Sequence, residues 1–225
     1  MGGFCLLNNV AIATAKAQAQ GKRRIAIVDW DVHHGNGTEA IFLNDPNVLY
    51  FSVHRSNGFY PYTTGKPEQV GTMGRNVNVG WTVPGMGDAE YIRVWQQLLL
   101  PMLDEFQPDL IFVSAGFDAA DGDMGECCVT PEGFGTLTRM LVQQRKDADC
   151  PIVCALEGGY VRSLLGRCVS AVVEAFLSSP TDDDDDDAPE TTEEETAIHP
   201  LAARAIERTR TAHQSYWKCL QDPGT

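Results

Sequence analysis

No apolar run in the 225 residues approaches the length of about 18 that a membrane-spanning helix needs, and no stretch resembles a signal peptide. Paired CxxC spacing is also missing. The seven cysteines (Cys5, Cys127, Cys128, Cys150, Cys154, Cys168 and Cys219) are an odd number, which argues against a disulfide framework and for reduced thiols in the cytosol or nucleus. Cys150 and Cys154 flank or lie in a strand pattern and read as small apolar fillers. No internal repeat is visible. A basic surface is lacking too. The net charge is -14, and ten of those negatives are Asp182 to Asp187, Glu190, Glu193, Glu194 and Glu195. The remainder is only mildly acidic, which argues against direct nucleic-acid binding.

Apolar residues make up 43% of the chain, as a single globular core with an appendage requires. The chain is organised around Arg24-Ile25-Ala26-Ile27-Val28-Asp29-Trp30-Asp31-Val32-His33-His34-Gly35-Asn36-Gly37. Its β-branched run predicts a strand covered on both faces, with carboxylates and imidazoles at its C-terminal end, where open α/β sheets bind ligands. In extended chain Asp29, Asp31 and His33 share a side, so Asp31 and His33 can grip one ion. Leu110 to Asp118 repeats the design and offers Asp118 as a third ligand. One imidazole and two carboxylates leave coordination positions open for water and substrate.

Strand and helix patterns alternate. Asn8 to Gln20 is a predicted helix closed by Gly21. Strands follow at Arg24 to Trp30, Val48 to Val53, Asn76 to Gly80, Leu110 onward and Ile152 to Leu156. Helices are expected over Thr38 to Leu43, over Asp88 to Phe106 with a kink at Pro101, after the Thr130 N-cap, and over Val161 to Leu177. His54 to Arg75 is a long loop. This alternation predicts an α/β fold, a parallel sheet with helices on both faces. Residues 178–197 read as a disordered acidic linker, and 198–225 as a C-terminal helix docking on the domain or on a partner. His34 reads as structural, while His54, His199 and His213 are expected to face solvent.

Four separated motifs resemble the histone deacetylase family, most closely its class II branch: Gly3-Phe4-Cys5 with Asn8-Asn9, Asp29 to Gly37, Ser114 to Asp118, and Glu157-Gly158-Gly159-Tyr160. The resemblance covers Gly3 to Leu177 and implies an arginase/deacetylase-like fold and a catalytic domain over 1–177. It implies zinc held by Asp31, His33 and Asp118, and Tyr160 as the donor to the substrate carbonyl and its tetrahedral oxyanion. In the class IIa branch a His stands at the position of Tyr160. Gly3, Phe4, Tyr60, Met124, Gly158 and Gly159 fall at the acyl-lysine tunnel; Tyr60 stands where Phe is usual, which adds a hydroxyl to that wall. Asp29 matches a residue that bonds a catalytic His and, with Ser52, coordinates a structural monovalent cation, potassium being the candidate. Asn36 matches the partner of a second catalytic His. The resemblance further implies nuclear or cytoplasmic action on acetylated histones or other acetyl-lysine proteins, within corepressor-type complexes.

The family's general acid and base, two consecutive histidines upstream of Gly-Phe-Cys, have no counterpart in the sequence, so a truncated catalytic domain with slowed turnover and exposed apolar sheet surface is expected. Two alternatives follow: a catalytically impaired fragment that works as a binding scaffold, and an acetylpolyamine amidohydrolase.

Overall fold

The computed structural model describes residues 3–145, 150–178 and 197–221. Five parallel strands form one sheet: β1 (Ile25–Asp29), β2 (Val48–Arg55), β3 (Asn76–Trp81), β4 (Leu110–Ala115) and β5 (Ile152–Leu156), in the order β3-β2-β1-β4-β5. β1 is central, and its alternation divides the core in two. Ala26, Val28 and Trp30 enter the larger cluster, while Ile25 and Ile27 enter the smaller one on the opposite face with Tyr50, Leu110 and Phe112. The α/β sheet expected from the sequence is therefore present, with helices on both faces.

The smaller cluster is covered by α1 (Asn9–Ala19), whose N-cap Asn8 accepts from Ala11 N–H at 2.8 Å. The short α2 (Asn36–Phe42) closes the same face. The other face carries α3 (Asp88–Val94), α4 (Leu100–Phe106), α5 (Pro131–Gln144) and α6 (Arg162–Leu177). Thr130 caps α5 by accepting from Gly133 N–H at 2.9 Å, with Pro131 in the first turn, as the sequence indicates.

The region expected as one helix kinked at Pro101 is instead α3 and α4 joined by a π-helical turn, Trp95–Leu99. Proline has no N–H to give to the carbonyl four residues back. That carbonyl, on Gln97, accepts from Arg210 Nη2 at 3.2 Å. Arg210 lies on α7 (Pro200–His213), which settles the fate of the C-terminal helix: it docks on its own domain. Thr209 Oγ1 donates to Asn78 O at 2.9 Å, Trp217 Nε1 donates to Gly74 O at 2.8 Å, and Ala202, Ile206, Trp217 and Leu220 join the larger core. The acidic linker lies almost wholly outside the described residues.

Two histidine expectations are corrected here. His54 and His213 are fully buried rather than solvent-facing. Burial pushes the His54 imidazole down to about 3 and that of His213 to about 4, against the opposing pull of the carbonyls of Gly65 and Gly74. Both are neutral at pH 7. Another correction concerns β5. Among the described residues it is an edge strand, and Val153 and Leu156 are 45% and 61% exposed, with Cys154 exposed beside them rather than filling a core.

Candidate metal centre and active site

Strand order reverses between β1 and β4, since β2 and β3 extend the sheet on one side and β5 on the other. Ligands of open α/β sheets bind in the crevice beyond the strand ends at such a reversal. Asp31 and His33 follow β1, and Asp118 follows β4. One ligand atom from each lies within 4.8 Å of the others.

Local hydrogen bonds hold this triad in place. Past Asp29 the chain leaves the strand and bends, and His33 N–H donates to Asp31 Oδ1 at 2.8 Å. Val32 N–H reaches across to Asp118 Oδ1 at 2.8 Å, while Gly158 N–H, beyond β5, donates to Asp31 Oδ2 at 3.0 Å. His33 Nδ1 stands 3.1 Å from Asp31 Oδ1 and 3.0 Å from Asp118 Oδ2. Burial opposes charge on this ring, but bonds to Asp118 and Asp31 outweigh it and lift His33 to about 10. Burial, reinforced by the charge of Asp31, raises the Asp118 carboxyl although His33 and Val32 bond to it. Two carboxylates and an imidazole nitrogen thus converge on one point that favours positive charge.

Gly116 and Gly158 leave room for the carboxylates. A Cβ on Gly116 would fall on Asp31 Oδ2; one on Gly158 would fall on Asp118 Oδ2 and lie 2.7 Å from Asp31 Oδ2. The sequence suggests that Gly158 and Gly159 make way for substrate. For Gly158, which is buried, the space is taken by the carboxylates themselves. Gly159 has φ +122° and leads to Tyr160, which is half exposed. Burial, then the charges of Asp118 and Asp31, push the Tyr160 phenol up to about 12, so it keeps its proton at neutral pH.

Other anticipated residues are spread around this centre. Asp29 is buried, accepts from Tyr50 O–H at 2.9 Å, and is pushed up by burial and by Asp31. It pairs in register with the buried Ser52, whose Oγ is 2.9 Å from His54 Nδ1. His54 is neutral and its Nε2 donates to Gly65 O at 3.1 Å, so Nδ1 accepts and Ser52 is the donor. The lone pairs of Ser52 remain available. Asn36 is exposed at the start of α2. Phe4 is 94% exposed and Met124 is also exposed. Gly3 N–H donates to Tyr60 Oη at 3.1 Å, so this hydroxyl ties two loops together instead of standing free in a tunnel wall. His34 is structural as expected, bonded to Thr64 and to Glu39 at 2.8 and 3.2 Å.

Three neighbours of the site escape a reading of the sequence. Phe59 stacks on His33 with ring centroids 5.1 Å apart, and the Arg55 guanidinium lies 4.9 Å above Phe59. The doublet Phe59-Tyr60 before Pro61 was the available signal, but nothing in it says which ring meets the imidazole. Asp123 is the third: its Oδ2 accepts from Tyr160 N–H at 2.8 Å and Val161 N–H at 2.9 Å.

The histone deacetylase domain family matches residues 1–176. Histone deacetylase clr3 of Schizosaccharomyces pombe is 40% identical over 98% of this chain and 32% of that protein, and histone deacetylase 7 of Homo sapiens is 40% identical over 97% of this chain and 23% of its own length. The crystal structure of the HDA15 HD domain superposes with a TM-score of 0.84 at 38% identity, covering 98% of this chain and 58% of that one. The chain spans about a third of the length of the first of these relatives. A match over most of the chain, relatives near 40% identity and the shared fold together make it a member of the histone deacetylase family.

Proposed function

We propose that this chain carries a zinc-dependent lysine deacetylase site for acetylated histones or other acetyl-lysine proteins. The observation that carries this reading is the convergence of Asp31, His33 and Asp118 at the strand reversal, with the charges of Asp118 and Asp31 felt by the Tyr160 phenol. The donor set fits zinc, because hard carboxylates and one imidazole suit it, and three protein ligands leave a position open. Bound there, the ion would supply Lewis acidity, polarising the amide carbonyl and acidifying water toward a pKa of about 7. Tyr160 donates to the oxygen that gains negative charge, a task for which its protonated phenol suits it. Asp29, with Ser52 offering free lone pairs across the sheet, supports a monovalent cation such as potassium beneath the site. Phe59 packs on His33 and steadies the ring. Substrate in chromatin, corepressor-type partners and a nuclear or cytoplasmic location are part of the same proposal. No helix among the described residues is long and apolar enough to cross a membrane.

A binding module with impaired catalysis is the second reading, and the placement of the imidazoles favours it. Among the described residues, His34, His54 and His213 are buried in networks of their own and His199 caps α7, which leaves His33 as the imidazole at the triad. A positioned acid-base adds roughly 10² to 10⁴ in rate.

The test measures turnover by the zinc-loaded chain on an acetyl-lysine peptide and on an acetylpolyamine, with Tyr160→Phe as control. Peptide turnover that falls roughly 10² to 10³ in Tyr160→Phe supports the first reading. Tight zinc and peptide binding without turnover supports the second, and preference for the polyamine overturns the protein substrate.

A further inference from the structure

We infer that Asp123 is a positioning residue for Tyr160, holding the phenol-bearing segment at a fixed place relative to the Asp118 loop. The inference deepens the deacetylase reading and rests on it.

Tyr160 has few constraints of its own. The residue is 49% exposed, and the segment enters through Gly159 at φ +122°, a glycine whose backbone can take several paths. On the other side α6 begins at Arg162, and its N-cap, Val161, has no side chain able to cap it. The first amides of a helix need acceptors. Asp123 supplies one from another loop: a single oxygen, Oδ2, accepts from both Tyr160 N–H and Val161 N–H. Its other oxygen, Oδ1, accepts from Met124 N–H at 2.7 Å, which orients the carboxylate. A negative charge at this end of α6 is also favoured by the helix dipole.

The other end of the link leads to the metal triad. Asp123 N–H donates to Ala120 O at 3.0 Å, and Gly125 N–H folds back onto Asp118 O at 3.0 Å. Arg55 Nη1 holds the same turn by donating to Gly125 O at 3.0 Å. The turn that carries Asp118 therefore also carries the anchor for Tyr160, and Asp123 sets how the Tyr160 segment sits relative to that carboxylate.

The experiment is a double-mutant cycle on the full, zinc-loaded chain with an acetyl-lysine peptide. Asp123→Ala is expected to lower kcat about tenfold with KM and zinc content unchanged, because misplacing a group by about an ångström has effects of this order or larger. Asp123→Asn keeps an acceptor oxygen and should recover most of the loss. In a Tyr160→Phe background Asp123→Ala should cost less than about twofold more, the non-additivity expected of two residues acting as one unit. A tenfold loss that persists without the phenol overturns the inference, as does a kcat within twofold of the original in Asp123→Ala. A second readout needs no turnover. With the six tyrosines labelled with ¹³C at Cζ, and Tyr160 assigned through Tyr160→Phe, its resonance should shift and broaden in Asp123→Ala while the other five hold. An unmoved Tyr160 resonance overturns the inference. A wild-type chain with no zinc-dependent turnover would instead sink the deacetylase reading, and the tyrosine spectrum would still decide what Asp123 does.

Discussion

Gly158→Ala adds one methyl group and should disable the metal centre without touching a ligand. The Gly158 backbone is not in the left-handed region, so alanine carries no conformational penalty and the effect is steric. The new Cβ would overlap Asp118 Oδ2 and sit 2.7 Å from Asp31 Oδ2, where ordinary contact begins near 3.4 Å. Relief requires the Asp118 oxygen to move by more than an ångström and the Asp31 oxygen by most of one, or the Gly158 backbone to withdraw. Asp118 is held by Val32 N–H at 2.8 Å and is fully buried, so the strain falls on both carboxylates and on the Gly158 segment, and the bond from Gly158 N–H to Asp31 is disturbed with them. Forcing a methyl into a packed site costs about 1 to 3 kcal/mol. Disturbing a group that merely orients a ligand already weakens metal binding roughly 10 to 100-fold, so a displaced ligand should reach at least the upper end, about 100-fold. Zinc affinity measured in competition with a chromogenic chelator tests this directly. A Kd within about threefold of the unsubstituted chain would refute both the steric argument and the assignment of Asp31 and Asp118 as ligands.

Asp118→Asn retains an oxygen for Val32 N–H, so the chain should fold yet lose tightly bound zinc; undiminished metal by elemental analysis would remove Asp118 from the site. His213 has its folded-state pKa depressed from 6.5 to about 4 by burial, so the unfolded chain binds the extra proton. The stability it contributes is complete above pH 6.5 and is lost as pH falls toward 4, at up to about 1.4 kcal/mol per pH unit. Urea midpoints from pH 7 to pH 4.5 should therefore fall less steeply in His213→Gln than in the unsubstituted chain, and parallel curves would contradict the assignment. Arg208 and Glu68 form a bidentate pair at 2.6 and 2.9 Å, but both are more than half exposed, so Arg208→Ala should change the urea midpoint by no more than about 1 kcal/mol allows. Gly74→Ala should do far more to α7, because its Cβ would meet the Tyr216 ring at 2.5 Å from a backbone at φ +67°; unchanged near-ultraviolet circular dichroism would count against it.

The sequence alone determined the five strands, and three of the runs, Ile25 to Val28, Val48 to Val53 and Leu110 to Val113, are too apolar for surface strands and are covered on both faces. It also brought together Asp31, His33 and Asp118, the group that could hold a metal. Asp31 and His33 stand just after β1, and Asp118 stands just after a second run of the same kind, so strand ends in a parallel sheet must bring them to one edge. What it could not determine depends on contacts between distant segments. Ile152 to Leu156 looks like any core strand, and only the strand order makes it an edge with Leu156 exposed. His54 and His213 carry no local sign of burial; one is enclosed because Gly65 folds over β2, the other because α7 lies along β3. Pro101 announces a broken helix, but the π-turn and the use of Gln97 O by Arg210 depend on a helix more than a hundred residues later. Asp123 shows the limit most plainly. Acids are common in Gly- and Asp-rich loops, and hydrogen-bonding range to Tyr160 is a matter of a few ångströms that local spacing along the chain does not encode, because it is set by how two loops pack.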